Sequence, residues 1–197
     1  EYDRIYLNQS KLPGRVRLAD SGLGWKSQVS AGSTAKSTPF LLPSEEISTC
    51  LWSRGSRGYE LRIDTKNRGV VALDGFDSQD FNALKQVLNK NFNIILDQRE
   101  HALRGWNWGK TALARNELVF SIASKPAFEI PYAEITNANM SGKNEVGIEM
   151  ELVKKQIESI ERAGDELVEM KLYIPGNADE DDDESQGQNQ NENENEN

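Results

Sequence analysis

The chain has 197 residues, with 23 basic and 32 acidic side chains and a formal net charge of −9. Nine of the acidic residues fall in residues 177–197, so residues 1–176 carry 23 acidic and 23 basic side chains and are formally neutral. A neutral body with an acidic end is not the profile of an autonomous DNA-binding protein, and no apolar run approaches the roughly 18–20 residues that cross a bilayer.

The first half of the chain predicts about seven short strands. Alternation of apolar and polar residues, the pattern of a strand with one buried face, recurs here between Gly-containing turns. The predicted strands are residues 4–9, 15–19, 23–26, 40–42, 47–52, 59–64 and 70–73. Residues 27–38, rich in Ser, Ala, Gly and Thr, predict a flexible loop.

The periodicity then changes to that of a helix. Five apolar residues fall at helical spacing after Asp77 and Ser78, which are the predicted caps; they are Phe81, Leu84, Val87, Leu88 and Phe92. Seven strands followed by one amphipathic helix is the order of a pleckstrin-homology-like (PH-like) barrel, in which the helix closes an open end of a small bent sheet. We therefore predict a mainly β protein with a PH-like domain over residues 1–97.

The second half is again strand-like. The predicted strands are residues 93–97, 118–122, 127–130, 133–135, 146–152 and 167–174, with a short helix at 154–162. They indicate a second β-rich unit over residues 98–176, either a complete PH-like barrel or a less complete one. Residues 177–197 are predicted to be a disordered acidic, Asn/Glu-rich tail, because their composition cannot offset the entropy of ordering.

The stretch Arg99–Arg115 holds two of the four tryptophans and the only histidine. Three residues separate its glycines, whereas a phosphate-binding loop needs four, so the tryptophans favour a protein interface or the core beneath one. His101 has no Cys or second His with metal-ligand spacing and is expected to be structural. The single cysteine, Cys50, excludes an internal disulfide. We predict no enzyme activity, no catalytic residue, no metal and no cofactor.

Two charged groups of residues allow alternatives. Lys11, Arg15 and Arg17 match the pattern with which a PH-type membrane adaptor binds phosphoinositides, or they line the solvated face of a strand. The acidic run contacts basic proteins such as histones or only keeps the chain soluble; it comprises Asp179, Glu180, Asp181, Asp182, Asp183 and Glu184.

Several longer strings resemble one family, the small subunit of the FACT histone chaperone, or structure-specific recognition protein family, in a fungal form. They are LNQS at 7–10, ADSGLGWK at 19–26, WSRG at 52–55, LDGF at 73–76, RGWNWG at 104–109 and GDELVEM at 164–170. The resemblance covers about residues 3–176 and implies the N-terminal and dimerisation part of that subunit.

What the resemblance implies is a non-catalytic nuclear, chromatin-associated protein. It would pair with the large FACT subunit and, through the whole complex, with histones and nucleosomal DNA, during nucleosome disassembly and reassembly in transcription, replication and repair. No membrane and no small-molecule substrate are expected. Our candidates for the residues that bind the large subunit are aromatic and apolar side chains of the predicted unit at 98–176; they are Trp106, Trp108, Phe120, Phe128, Ile130 and Tyr132.

Overall fold

The structure, a computed structural model, describes residues 1–28, 38–103, 107–151 and 167–176. The described residues divide into two compact units. The first contains residues 1–134 and residue 151, and the second contains residues 135–150 and 167–176. The end of the predicted first domain, residue 97, thus lies inside the first unit, which continues to Glu134; the predicted domain division stays a prediction.

The first unit is built on an eight-stranded sheet and one helix. Its elements are β1 Tyr2–Leu7, β2 Gly14–Ala19, β3 Gly22–Ser27, β4 Phe40–Pro43, β5 Ile47–Gly55, β6 Gly58–Thr65, β7 Val70–Phe76, α1 Asp80–Phe92 and β8 Leu96–Gln98. The strand order is β4-β3-β2-β1-β7-β6-β5-β8, with β8 parallel to β5 and every other pair antiparallel. The predicted PH-like barrel of seven strands and one helix is confirmed, and we call β1–β8 with α1 the barrel.

Strand β1 joins the two halves of this sheet. Its first half pairs with β2 and its second half pairs with β7, and the register shifts between Tyr2 and Ile5. At the shift Arg4 has a left-handed φ of 59°, and opposite it Gly75 has a φ of 113°. A Cβ on Gly75 would lie 2.8 Å from the carbonyl oxygen of Arg4, so this bend requires a glycine there.

The barrel encloses an apolar core that its helix completes. Leu84 and Leu88 of α1 are fully buried and belong to the same cluster as the inward-facing residues of the strands. Trp25 is also buried, and its indole N–H donates to the carbonyl of Ile5 at 2.9 Å, which satisfies the polar atom of a large core side chain. Because the helix places two leucines in the core, the barrel buries its own open end.

The predicted caps of α1 are wrong. The N-cap residue is Gln79, which makes no side-chain capping bond. Instead the carboxylate of Asp80, in the first turn, accepts a hydrogen bond from the backbone N–H of Asp77 at 2.9 Å. The helix ends at Asn93, whose left-handed φ of 55° terminates it. The strand predicted at 93–97 consequently begins only at Leu96, as β8.

Two three-stranded sheets follow the barrel. The first contains β9 Lys110–Leu113, β10 Glu117–Ile122 and β11 Lys125–Pro131; the second contains β12 Ile135–Ser141, β13 Glu145–Met150 and β14 Glu169–Tyr173. The strand predicted at 133–135 is wrong, because residues Tyr132–Glu134 form a 3₁₀ turn and β12 begins after it. The predicted helix at 154–162 lies outside the described residues, as does the tail at 177–197.

The second unit is a single amphipathic sheet. The register places Ala138, Met140, Val146, Ile148, Met170 and Leu172 on one face. The other face carries polar residues such as Asn139, Lys171 and Glu149. Only Gly147 and Ile148 are buried among the residues described in this unit.

No helix in the described part of the chain has the length and apolar character to cross a membrane.

Candidate partner-binding surface

The sheet formed by β9, β10 and β11 has two chemically different faces. Directly paired residues share a face, so the rows Leu113–Leu118–Ile130 and Thr111–Phe120–Phe128 lie on one side. The rings of Phe120 and Phe128 stack there, with centroids 4.9 Å apart and planes 10° apart. The opposite side carries Glu117 and Glu129, and it faces the barrel. The apolar side of the sheet therefore points away from β6, yet its residues Leu118, Ile122 and Ile130 are only 6–7% exposed.

The predicted partner-binding residues lie in this region, with different exposures. Ile130 is buried at 7% exposure, and Phe120 and Phe128 are partly buried against each other. Tyr132 is 38% exposed and its hydroxyl donates to the carbonyl of Ala114 at 2.9 Å, whereas Trp108 is 63% exposed. The remaining candidate, Trp106, lies outside the described residues. Of the described candidates, Trp108 and Tyr132 thus offer the most surface.

Sequence reasoning missed the edge strand β9 and its exposed leucine. All four residues of β9 are exposed, and Leu113 is 79% exposed. Just before it, Gly109 lets the chain pass close to β10, because a Cβ there would lie 2.4 Å from the carbonyl oxygen of Ser121. The strand was missed because four solvent-facing residues show no alternation, although Gly109 directly before the segment was a usable signal.

Charged side chains join the other face of this sheet to the barrel. On β6, Arg62 donates from Nε to the Glu117 carboxylate at 3.1 Å and makes a second, shorter bond to the same oxygen through Nη2. Arg99 reaches Glu129 at 2.8 Å and Glu117 at 4.0 Å, and His101 Nε2 lies 3.0 Å from Glu129. We call Arg62, Arg99, His101, Glu117 and Glu129 the ion cluster.

The ion cluster is largely shielded from solvent. The side chains of Glu129, Glu117 and Arg62 are only 6%, 11% and 13% exposed. Burial by itself would raise the pKa of Glu129, but hydrogen bonds from His101 and Arg99 outweigh it and hold the pKa below its ordinary value. His101, expected to be structural, thus acts as a partner of a buried carboxylate.

A second set of polar contacts lies beside the ion cluster. The side-chain amide of Asn116 donates to the Asp64 carboxylate on β6 and to the carbonyl of Thr65 at 3.0 Å. Backbone bonds continue the attachment, from Arg99 N–H to the carbonyl of Trp52 at 2.8 Å and from Ala102 N–H to that of Pro126 at 2.7 Å. The first hydrogen bond prolongs the β5–β8 edge, and the second ties the connecting segment to β11.

The outer face of β6 is therefore covered rather than solvated. Glu60, next to Arg62 on this face, is a carboxylate whose pKa is raised by burial; Arg62 opposes that effect, and the nearby Asp74 and Glu129 charges add to it. The alternation of residues 59–64 correctly predicts a strand. It does not reveal that the charged side of the strand lies under a second sheet.

The candidate anion patch contains carboxylates as well as cations. Arg15 Nε contacts Asp3 at 2.6 Å and Arg17 Nε contacts Glu1 at 3.4 Å, with all four side chains at least half exposed. Arg15 and Arg17 share the outer face of β2 and line one shallow cavity of about 440 Å³. Lys11 is exposed in the preceding turn. The phosphate role of these residues stays a prediction, and the ion pairs lower the net positive charge that an anion would meet.

The acidic run at 179–184 lies outside the described residues. Cys50 is buried in the barrel, and burial raises the pKa of its thiol to about 12. In the described ranges, no three His, Cys, Asp or Glu side chains are grouped so that they could hold a metal ion.

Two family models together match almost the whole chain. Residues 1–98 match a family model described as a POB3-like N-terminal PH domain, and residues 101–197 match one described as structure-specific recognition protein (SSRP1). One chain of a solved structure, "Structure of the Spt16D Pob3N heterodimer", is 41% identical, with a TM-score of 0.77; the match covers 89% of this chain and 95% of that one. The chain belongs to the structure-specific recognition protein family.

Several curated relatives of this family member are fungal proteins. FACT complex subunit POB3 of Saccharomyces cerevisiae is 60% identical over 91% of this chain, and that of Candida albicans is 59% identical over 91%. The pob3 protein of Schizosaccharomyces pombe is 49% identical over 89%. The matched region is 32–33% of each relative, so the chain spans about a third of their length. The family resemblance inferred from the sequence is confirmed.

Proposed function

We propose that this chain is the N-terminal, heterodimer-forming part of a FACT small subunit and that it performs no catalysis. The observation that carries the proposal is its match to almost the whole of one chain of the Spt16D–Pob3N heterodimer. By pairing with the large subunit, it would support nucleosome disassembly and reassembly in transcription, replication and repair. This assigns the protein to the nucleus and to chromatin, with histones and DNA as partners of the whole complex.

The exposed apolar residues at and beside β9 support a protein-binding role for this part of the first unit. Leu113 and Trp108 are large, apolar and well exposed, and an exposed edge strand with such residues is a liability unless another chain covers it. Stable heterodimers bury on the order of 1,600 Å² or more, with aromatic anchors near the centre. We infer that the large subunit covers β9 and its flanks.

Binding to the large subunit tests this proposal directly. Leu113→Glu and Trp108→Glu should each abolish co-purification with the purified large subunit, because each places a charge in the inferred contact. Leu41→Glu is the matched control, since Leu41 is 63% exposed on β4 of the barrel. Full binding by the Leu113 and Trp108 variants would show that the large subunit binds elsewhere, and no binding by the unaltered chain would refute the proposed function.

The partly buried candidates need a separate experiment. Charged substitutions at Phe120, Phe128 and Ile130 should lower the melting temperature as well as binding, because these side chains pack inside the described structure. Tyr132→Phe removes only the hydrogen bond to Ala114 and should leave folding nearly intact. A Tyr132→Glu variant that folds but does not bind would place Tyr132 in the interface rather than in its support.

The acidic run at 179–184 is proposed to contact basic partners such as histones. The experiment compares the chain with a version that ends at Gly176 in binding to histone dimers at several salt concentrations. A tail-dependent affinity that falls with salt would support the contact, because exposed charges are screened over a Debye length of about 8 Å at physiological ionic strength. Equal binding by both versions would leave the tail with a solubilising role only.

A further inference from the structure

We propose that the ion cluster orients the β9–β11 sheet on the barrel, and that Arg62 and Glu117 are positioning residues for heterodimer formation. The inference rests on the proposed function, because its readout is binding of the large subunit. The inference gives the barrel a role in heterodimer formation. The separate family matches to residues 1–98 and 101–197 do not suggest such a role. In this role the charges on the barrel decide how the next sheet is held and where its exposed edge strand β9 lies.

The charges of the ion cluster come from three parts of the chain. Arg62 lies on β6 of the barrel, Glu117 and Glu129 lie on β10 and β11, and Arg99 and His101 belong to the segment that connects the two. Arg62 is therefore the member of the ion cluster that the barrel contributes. Its two hydrogen bonds to Glu117 join residues 55 positions apart in the chain.

The register of the β9–β11 sheet links the position of its glutamates to the direction of its other side chains. Successive residues of a strand point to opposite faces, so Glu117 can face Arg62 only if Leu118 points the other way. The same holds on β11, where Glu129 faces the ion cluster and its neighbours Phe128 and Ile130 lie on the apolar side. Holding the two glutamates against the barrel thus fixes how the exposed edge strand β9 is offered to a partner.

A misaligned sheet would be less stable, because it would break the buried ion pairs. A buried ion pair contributes little net stability compared with a well-packed apolar pair, but leaving one of its charges buried without a partner is strongly destabilising. A rotated or slipped sheet would leave Arg62 and Glu117 buried without partners. The neighbouring bonds of Asn116 to Asp64 and Thr65 supply a second point of attachment, and two points define an orientation.

The experiment separates orientation from stability. Arg62→Met, Glu117→Met and the double variant are compared for thermal unfolding and for the dissociation constant with the purified large subunit. Each single variant should lose stability and bind at least about tenfold more weakly, because it leaves a buried charge unpaired. The double variant should regain most of the melting temperature, because contact between the two methionines restores packing. It should still bind about tenfold more weakly, because an apolar contact does not fix the orientation of the sheet as the ion pair does.

A matched control uses an ion pair that is exposed. The Arg15→Met, Asp3→Met double variant removes a pair with a contact of 2.6 Å at more than half exposure in the same barrel, and it should change neither measurement. If the Arg62, Glu117 double variant binds as well as the unaltered chain, the ion cluster is only structural and the inference is overturned. If the unaltered chain does not bind the large subunit at all, the proposed function fails instead.

Discussion

The barrel and the β9–β11 sheet are held by opposite kinds of interaction. The barrel closes around an apolar core to which its own helix contributes Leu84 and Leu88. The sheet rests on the barrel through the ion cluster and the bonds of Asn116. Apolar burial is strong but not directional, whereas buried ions and hydrogen bonds act only in one geometry. Apolar burial thus stabilises the barrel, whereas directional polar contacts attach the β9–β11 sheet to it.

The second unit differs from both the barrel and the β9–β11 sheet in how little it buries. Its sheet has one apolar face, yet Ile148 is the only large side chain that it buries among its described residues, at 3% exposure. Met140, on that apolar face, is 64% exposed. A three-stranded sheet with so little burial needs cover for its apolar face to be stable.

The largest expected effect tests the apolar core of the barrel. Leu42→Ala should lower the free energy of unfolding by about 2–5 kcal/mol, because Leu42 is 1% exposed and its removal leaves a cavity. Leu41→Ala, the same change one residue earlier on β4, should have almost no effect because Leu41 is 63% exposed. Chemical denaturation of both variants measures the difference. Equal losses would mean that the barrel core is not closed on this side.

A smaller effect of definite sign is expected at the ion cluster. Glu129→Gln should lower the free energy of unfolding by on the order of 2 kcal/mol at neutral pH, since Arg99 and His101 lose their carboxylate. The pKa of Glu129 is lowered from 4.5, so its contribution is present above that pH and is lost as the pH falls through the lower folded value. The difference between the two proteins should therefore shrink in acid.

An exposed pair in the same region provides the control for that measurement. Glu100→Gln removes a contact of 2.7 Å to Lys125 in which the two side chains are 79% and 52% exposed. Solvent screens such a pair, so the substitution should leave the unfolding curve unchanged within error. A loss equal to that of Glu129→Gln would show that burial does not distinguish the ion cluster.

Glu60→Gln should act in the opposite direction. Burial raises the pKa of Glu60, so its ionisation costs stability at neutral pH, and the amide should raise the free energy of unfolding by up to about 1 kcal/mol. The gain is present above the raised folded pKa and disappears as the pH falls to the unfolded value of 4.5. Thermal unfolding between pH 4 and 8 measures it; a loss at neutral pH would mean that the 3.8 Å contact with Arg62 outweighs burial.

The smallest expected signal is at Cys50. With a pKa of about 12 and a buried side chain, its thiol should not react with a thiol reagent at pH 8 in the folded protein. Full reaction should follow the addition of denaturant. Rapid labelling of the native chain would indicate that the barrel opens near β5 and that its core is not closed there.

The sequence alone determined the barrel and the family. Period-two alternation set seven strands, the spacing of Phe81, Leu84 and Leu88 set the helix, and strings such as RGWNWG identified the relatives. These signals are local or cumulative, so they survive without coordinates. The edge strand β9 was missed, because four exposed residues have no buried face to mark them, and so was most of β12, where polar residues alternate with small or exposed ones.

Only the tertiary structure decided where the charges of β6 lie. Glu60, Arg62 and Asp64 alternate with apolar residues as they would on a solvated strand, and nothing within that segment distinguishes water from a second sheet as the cover. The cover is supplied by Asn116, Glu117 and Glu129, more than 50 residues further along the chain. Such a pairing depends on where the chain returns in space, so a pattern within one strand predicts the strand but not what lies against it.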